Sequence, residues 1–200
     1  MTAAPCTLLL LMATWSPPVQ QAICTCDAAK MKGGWCERCN VGHIASVRIE
    51  SADLFEWLDA HGHHIDPDRI ECELCQEAIA TDGFCERCRM GYVGKEAFLS
   101  RLTYHVAKGR PRSLAKIQCS TCRKNAGRFG WCDRCKVGMV GNVAIRDRED
   151  YGRAVDAFRI LLAAVRAARK CESCALAIVS NTTCRACKIT YSNGNPIPPN

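Results

Sequence analysis

The chain has 200 residues, and 17 of them are cysteines, a share typical of proteins held together by disulfides or metal ions. The hydrophobic share of 48% includes these cysteines, and only 6% of the residues are aromatic, which is little for one large close-packed core. Charged residues make up 24%, and no run of 18 apolar residues occurs, which excludes a largely disordered chain and an ordinary membrane span.

The formal charge of +7 does not by itself indicate binding to nucleic acid. Metal binding requires deprotonated cysteines, so a divalent ion held by four thiolates carries a net charge of about −2. Four such sites would lower the charge by about 8, to about −1. A chain that binds metal in this way is therefore close to neutral.

The first residues have the pattern of a secretory signal peptide. Residues 7–13, TLLLLMA, form a short apolar block, and a Ser-Pro-Pro turn separates this block from Ala22, after which cleavage is predicted. We therefore interpret residues 1–22 as a signal peptide and expect the mature protein in the periplasm or cell envelope. No Lys or Arg precedes the apolar block, so the alternative is an uncleaved chain in the cytoplasm.

One cysteine pattern then occurs four times. Each copy contains two cysteine pairs separated by nine residues, and the copies recur about every 50 residues. The first pair of the first copy is CxC, and all other pairs are CxxC. Gly-Trp or Gly-Phe precedes the third cysteine in the first three copies only, and terminal repeats are often degenerate in this way. The cysteines are Cys24, Cys26, Cys36, Cys39, Cys72, Cys75, Cys85, Cys88, Cys119, Cys122, Cys132, Cys135, Cys171, Cys174, Cys184 and Cys187.

This spacing is typical of a tetrahedral metal site. Each CxxC turn brings two thiolates together, and nine residues suffice for a hairpin that returns the second pair to the first. The cysteine cores resemble those of zinc-ribbon and zinc-knuckle proteins, and the resemblance extends no further along the chain. It implies a small β-hairpin and a structural zinc ion in each unit, or about four zinc ions per chain, but no particular partner.

Two other uses of these cysteines stay open. An iron site takes the same four thiolates, so the sequence does not exclude iron. Disulfides become chemically permitted if the chain is exported. Haem attachment and thioredoxin-like redox chemistry are not indicated, because no CxxC is followed by His and none lies ahead of a helix in a βαβ pattern.

The repeats divide the chain after the signal peptide into four tandem units joined by amphipathic helices. Unit 1 spans residues 23–70, unit 2 spans 71–117, unit 3 spans 118–170 and unit 4 spans 171–190. Residues 191–200 are rich in turn-forming residues and are predicted to be a flexible tail. The predicted fold class is α+β, with a zinc-ribbon-like hairpin in each unit.

Short strands and then a helix are predicted after the cysteine cores. Residues 41–49 and 140–145 alternate in part between apolar and polar side chains, which predicts strands. Apolar spacing and capping residues predict three helices. These helices run from Ser51 to about Ala60, from Lys95 to Lys108 and from Arg148 to Lys170.

The third predicted helix carries an apolar stripe. The stripe contains Tyr151, Val155, Phe158, Leu162 and Val165, at the spacing of two coiled-coil heptads. Two heptads are too few for an isolated coiled coil, so we expect the stripe to pack on the protein's own units. The alternative is a surface for a protein partner or for a homodimer.

Three histidines are candidates for a further metal site. His61, His63 and His64 lie in sequence near three aspartates, a combination that binds metal weakly at protein surfaces. The alternative is a solvated helix end, where histidine interacts favourably with the helix dipole.

Three arginines share one position in the second cysteine pair. Arg38, Arg87 and Arg134 would offset the negative charge of a thiolate site or pair with the acidic residue before them. The functional alternative is a row of arginines that contacts phosphate or an acidic partner.

The sequence does not indicate catalysis. Four protein thiolates leave no open position on a metal, and GxSxG, P-loop and HExxH motifs do not occur. We therefore expect a non-enzymatic zinc-binding protein that acts as a metal-stabilised interaction scaffold. The first alternative is metal buffering or sequestration in the cell envelope. The second is nucleic-acid binding by an unexported chain, although few aromatic residues accompany its basic residues.

Overall fold

A computed structural model describes residues 26–59 and 62–198 of the chain. The predicted signal peptide, Cys24 and His61 lie outside these residues. The described residues form α-helices and short antiparallel strands, which confirms the α+β class. None of the helices in these two ranges has the length and apolar character needed to cross a membrane.

Helices and short strands alternate along the chain. The α-helices are α1 (Cys26–Lys32), α2 (Ala52–Leu58), α3 (Glu73–Ala80), α4 (Arg101–Lys108), α5 (Ser120–Asn125), α6 (Arg148–Ala168) and α7 (Glu172–Ser180). The strands are β1 (Gly34–Cys36), β2 (Val41–Ile44), β3 (Val47–Ile49), β4 (His63–His64), β5 (Phe84–Cys85), β6 (Met90–Val93), β7 (Glu96–Phe98), β8 (Arg110–Pro111), β9 (Arg128–Cys132), β10 (Val137–Gly141), β11 (Val143–Ile145), β12 (Thr190–Ser192) and β13 (Asn195–Ile197).

The first three units repeat one order of elements. Each consists of a short helix, a two-stranded hairpin, a third antiparallel strand and a second helix. In unit 2 these elements are α3, β5, β6, β7 and α4, and in unit 3 they are α5, β9, β10, β11 and α6. In the described part of unit 4, only the helix α7 lies within residues 171–190, and the hairpin of β12 and β13 extends the unit to Ile197.

The segments between units add an edge strand to the following sheet. β4 pairs with β7, so the sheet of unit 2 has the order β4-β7-β6-β5. β8 pairs with β11 in unit 3, which gives the order β8-β11-β10-β9. Backbone hydrogen bonds therefore join each of these units to the segment that precedes it.

The principal hydrophobic core draws on all four units. Its buried side chains include Leu54 of unit 1, Leu102 of unit 2, Phe158 and Leu161 of α6, and Ile178 of unit 4. Helix α6 packs mainly on α7 and also contacts α4 and β10. The units are therefore not independent beads, because they share one core.

Two of the three predicted linker helices are confirmed. The side chain of Ser51 caps α2 by accepting a hydrogen bond from the Leu54 backbone N–H at 3.0 Å. Asp147 caps α6 in the same way, through the Asp150 N–H at 2.7 Å. Both helices therefore begin where the sequence places an oxygen-bearing cap residue.

The apolar stripe of α6 packs within the protein. Val155 and Phe158 are buried, and Tyr151, Leu162 and Val165 are partly buried against the same core. This contact confirms the intramolecular interpretation of the stripe.

The helix predicted from Lys95 is wrong in its first half. Residues Glu96–Phe98 form β7, and α4 begins only at Arg101. Ala97 and Phe98 are buried, and pairing with β6 satisfies backbone groups of this strand. A short segment has little helical stability of its own, so tertiary contacts decide its conformation.

The flexible tail predicted for residues 191–200 is corrected in its first part. Thr190–Ser192 and Asn195–Ile197 pair as a hairpin, and Tyr191 is buried in the principal core. Gly194 forms the turn with a φ of 80° and lies against Ile160 of α6. The packing of this turn on α6 gives the segment a defined position.

Candidate metal centres

The first cysteine pair of units 2, 3 and 4 lies at the start of a helix. Cys72, Cys119 and Cys171 precede α3, α5 and α7 as N-cap residues. The second cysteine follows three residues later, which places both side chains on one side of the helix. A zinc-ribbon fold is not confirmed, because this pair belongs to a helix and not to a hairpin.

In units 1 to 3 the second pair lies at the turn between the first two strands, and in unit 4 it precedes the hairpin. In the first three units the third cysteine is buried at the end of a strand, and the fourth is exposed in the turn. The Cys88 backbone N–H donates to the Cys85 sulfur at 3.3 Å, and the Cys187 N–H donates to the Cys184 sulfur at 3.3 Å. In each of these two turns a backbone N–H therefore holds one cysteine sulfur in place.

The cysteine sulfurs of the described residues form four close groups, which we number sites 1 to 4 after their units. All sulfurs of a group lie within 4.8 Å of one another. Sites 2, 3 and 4 each contain four sulfurs, and site 1 contains three because Cys24 lies outside the described residues. The groups are Cys26, Cys36 and Cys39; Cys72, Cys75, Cys85 and Cys88; Cys119, Cys122, Cys132 and Cys135; and Cys171, Cys174, Cys184 and Cys187.

Individual sulfur separations fit a shared ion. The sulfurs of Cys119 and Cys132 are 3.8 Å apart, as are those of Cys171 and Cys184. The sulfurs of Cys187 and Cys171 are 3.7 Å apart. Four sulfurs at about 2.3 Å from a tetrahedral ion lie about 3.8 Å from one another. A disulfide requires about 2.05 Å, so these pairs have the spacing of metal ligands.

One thiol of each four-sulfur group ionises easily. A backbone hydrogen bond from Cys75 lowers the pKa of Cys72 to about 7. The corresponding bond in unit 3 lowers the pKa of Cys119 to about 6, and a backbone bond in unit 4 lowers that of Cys184 to about 7. Burial raises the pKa of Cys75 to about 12. An incoming cation therefore meets a thiolate near neutral pH and displaces a proton from the buried thiol.

The structure does not direct His63 and His64 to one point. Both are exposed on β4, and neighbouring strand residues point to opposite faces of a sheet. His63 Nε2 lies 2.6 Å from Asp59 Oδ2, so a carboxylate contacts this ring. His61 lies outside the described residues, and none of the metal-ligand groups found in the described part of the chain contains a histidine.

The three predicted arginines are exposed at the tips of the second-pair turns. They are Arg38, Arg87 and Arg134. The residue after the fourth cysteine is left-handed in every unit, with φ between 50° and 60°, and it is basic in three of them. These residues are Asn40, Arg89, Lys136 and Lys188. Each turn of units 2 to 4 therefore presents two basic side chains beside a sulfur group.

In units 2 and 3 the acidic residue of the same turn pairs with a different arginine. Glu86 accepts a hydrogen bond from Arg101, the first residue of α4, at 2.5 Å. The Arg101 guanidinium also lies 4.2 Å from the centre of the Phe84 ring. Unit 3 repeats this arrangement with Arg148, Asp133 and Trp131. These contacts join the cysteine turn to the second helix of its unit.

Our sequence interpretation missed an aromatic pair that recurs in three units. The second ring of each pair follows the first by 20 residues along the chain. This second ring packs on a glycine of the second strand, and that glycine is the third residue after the fourth cysteine. The ring centroids of Trp35 and Phe55, Phe84 and Tyr104, and Trp131 and Tyr151 are 5.3, 5.5 and 5.4 Å apart, respectively. The 20-residue recurrence in the sequence is the signal that reveals this pair.

The fold and the sites define a cysteine-rich α+β repeat protein with candidate metal centres. No protein-family model matches the chain, and no significant match was found among curated proteins or solved structures. The resemblance to known proteins is confined to the cysteine cores. The function is therefore inferred from the sites and the fold.

Site 1 is expected to lose metal about ten-fold faster than sites 2 to 4, a difference of about 1.4 kcal/mol. Cys24 precedes Cys26 by two residues, a spacing that does not place side chains on one helical face. Site-resolved alkylation during chelation, read by mass spectrometry at Cys36 and Cys85, measures this difference. The variant Ile23→Cys restores a three-residue spacing to Cys26 and should slow the loss. Equal retention at all four sites would contradict the prediction.

Proposed function

We propose that this protein is a non-enzymatic zinc-binding repeat protein whose metal-stabilised fold serves as an interaction scaffold. The observation that carries the proposal is the recurrence of four-sulfur groups between a helix start and a hairpin turn. Soft thiolates in tetrahedral geometry favour zinc, which has no redox chemistry of its own. Four protein ligands leave no position for water or substrate, which favours a structural role.

The small size of the local cores supports a structural role for the metal. The buried cluster of unit 2 contains Cys75, Ala78, Cys85, Tyr92 and Ala97, and two of these are predicted ligands. A cluster of this size buries too little apolar surface to fix a helix on a hairpin. An ion that joins Cys75 on the helix to Cys85 on the hairpin supplies the missing stability.

Exposed apolar side chains support interaction with a protein partner. Trp57 and Leu99 are 43% and 56% exposed and border a cleft of about 510 Å³. Residues of units 1, 2 and 4 and of α6 line this cleft, and Arg89 lies at it. Exposed apolar patches of this kind mark binding surfaces in other proteins. Because the apolar stripe of α6 is occupied by the protein's own core, we place the partner at the cleft and not on that stripe.

Metal buffering is the second candidate function, and the exposure of one ligand in each site favours it. The fourth cysteine is exposed in all four units. An exposed thiolate is accessible to a competing ligand, which is the first step of metal transfer. Slow exchange of bound zinc supports the scaffold, whereas rapid and graded exchange supports buffering.

Nucleic-acid binding is the third candidate, and the basic turns of units 2 to 4 favour it. The residues concerned are Arg87, Arg89, Arg134, Lys136, Arg185 and Lys188. Contacts between such residues and phosphate weaken as salt concentration rises. Binding to DNA or RNA with this salt dependence would support the candidate, and no binding at low salt would remove it.

Four zinc ions per chain are the expected result of elemental mass spectrometry on protein purified without chelator. Sixteen cysteines should resist alkylation before chelation and react after it, because metal-bound thiolates are protected. Intact mass determines in the same sample whether residues 1–22 have been removed. Cysteines that stay unreactive until a reductant is added would instead show disulfides and contradict the zinc proposal.

A further inference from the structure

A repeat position beneath the sites carries buried side chains, and in two units the polar group there has no hydrogen-bond partner among the described residues. The position lies four residues after the fourth cysteine, and His43, Tyr92, Met139 and Tyr191 occupy it. All four side chains are buried, and Tyr92 is only 1% exposed. Within the described residues, neither His43 ring nitrogen nor the Tyr92 hydroxyl has a hydrogen-bond partner. Because buried polar groups are nearly always paired, the unpaired groups at this repeat position point to a further hydrogen-bond acceptor nearby.

The strand register of unit 2 places this position beside the sulfurs. Cys85 of β5 lies opposite Met90 of β6, so Tyr92, two residues further on, shares the sheet face of Cys85. Tyr92 packs in one buried cluster with Cys75 and Cys85. The unpaired hydroxyl is therefore a neighbour of the second cysteine of the site.

The other units repeat this placement. Cys36 lies opposite Val41, which puts His43 on the sheet face of Cys36. In unit 4, Thr183 pairs with Thr190, and Tyr191 packs in the principal core together with Cys174 and Cys184. In unit 3, Met139 packs in one buried cluster with Cys122 and Cys132. Three units thus place an N–H or O–H donor at this position, and unit 3 places a thioether there.

We propose that Tyr92 and Tyr191 donate hydrogen bonds to the metal-bound thiolates of Cys75 and Cys174, respectively, and that His43 donates one to a thiolate of site 1. The inference rests on the proposed function, because a metal-bound thiolate is a charged acceptor and a neutral thiol is a weak one. Each bond withdraws electron density from the sulfur and makes it a poorer nucleophile. These side chains are positioning residues that act on the metal through its ligand.

Under this proposal, site 3 differs from sites 2 and 4 because its thiolate receives no such hydrogen bond. Met139 has no proton to donate, so the Cys122 thiolate lacks the bond that Cys75 receives. Site 3 therefore contains the more reactive thiolate and reacts with an electrophile before site 2. The repeat thus combines protected sites with one less protected site.

The test compares Tyr92→Phe with Tyr104→Phe in protein loaded with cadmium-113. Tyr104 is a matched control because its hydroxyl lies in the same unit and donates to the Asp82 carbonyl oxygen at 2.8 Å. Its ring packs on Gly91, on the other face of β6. We expect Tyr92→Phe to shift the cadmium resonance of site 2 alone and to speed alkylation of Cys75 about five-fold, the factor for one net hydrogen bond. Tyr104→Phe should do neither.

A site 2 resonance and an alkylation rate that match those of Tyr104→Phe would overturn the inference and leave metal binding intact. A chain that takes up no cadmium would overturn the proposed function together with the inference.

The wild-type protein offers a second measurement that needs no variant. The Tyr92 hydroxyl proton should exchange slowly and couple to the cadmium of site 2, and a rapidly exchanging, uncoupled proton would contradict the bond.

Discussion

Removal of the bound metal is expected to unfold this protein and not to leave a folded apo form. Structural zinc in small domains contributes about 10 kcal/mol or more per ion near neutral pH. A whole domain is stable by only about 5–15 kcal/mol. The loss of even one ion is therefore comparable with the total stability. The folding of units 2 and 3 is expected to depend most on the metal, because only small buried clusters surround the cysteines of sites 2 and 3.

The sulfurs of site 4 extend this effect to the principal core. Cys174 and Cys184 are buried in that core beside Ala175, Ile178 and Tyr191. Without a metal, the buried thiols of Cys174 and Cys184 would stay inside this cluster, and no ion would join α7 to the turn that contains Cys184. We therefore expect α7 to separate from α6 after chelation, although α6 is long enough to keep part of its helical structure.

Far-UV circular dichroism and tryptophan fluorescence measure this outcome during titration with a strong chelator. Trp131 is a useful reporter, because its ring precedes Cys132 and packs on Tyr151 at 5.4 Å. The matched control is the same chelator already saturated with zinc, which should change neither signal. A chelated chain that keeps its helical signal and still unfolds cooperatively would contradict a structural role for the metal.

Replacement of Gly141 by alanine is expected to destabilise the protein by more than about 4 kcal/mol, an effect typical of a severe internal clash. Gly141 has a φ of 57°, and an added Cβ would lie 1.8 Å from the backbone oxygen of Ala45. The turn of unit 1 would have to move away from unit 3. Such a movement would also lengthen or break the 2.9 Å hydrogen bond from the Asn142 side chain to the Lys30 carbonyl oxygen.

Gly94→Ala is the matched control, because Gly94 and Gly141 occupy the same repeat position, six residues after the fourth cysteine. Gly94 has a φ of 61°, and an added Cβ would meet nothing within 4 Å. Its replacement should cost only the left-handed strain of about 1–2 kcal/mol. Urea denaturation of the zinc-saturated variants compares the two. Equal losses of stability would show that the contact between Gly141 and Ala45 does not hold units 1 and 3 together.

Local features of the fold could be predicted because a few neighbouring residues specify them. Ser51 predicts the start of α2 by offering an oxygen to a free backbone N–H. The nine-residue separation of the cysteine pairs predicts the sulfur groups, since both pairs lie within one short loop of chain. The CxxC spacing did not distinguish a helix start from a hairpin turn, because both bring residues i and i+3 together.

Other features depended on contacts between distant residues. Glu96–Phe98 became a strand because β4 and β6 pair with it on either side. The hairpin at residues 190–197 is ordered because its turn packs on Ile160. The contacts with β4 and with Ile160 cannot be derived from the residues of either segment, since each of these partners lies more than 25 residues away along the chain.

The sequence by itself determined the repeated cysteine cores, their candidate ligands and the α+β class, because cysteine spacing and capping act over one turn of chain. Only the tertiary structure decided that the four units share one core. It also decided that edge strands join successive units and that buried donors such as Tyr92 lie beneath the sulfurs. These features depend on which apolar surfaces from distant parts of the chain are buried against one another. That burial is determined only when the whole chain packs.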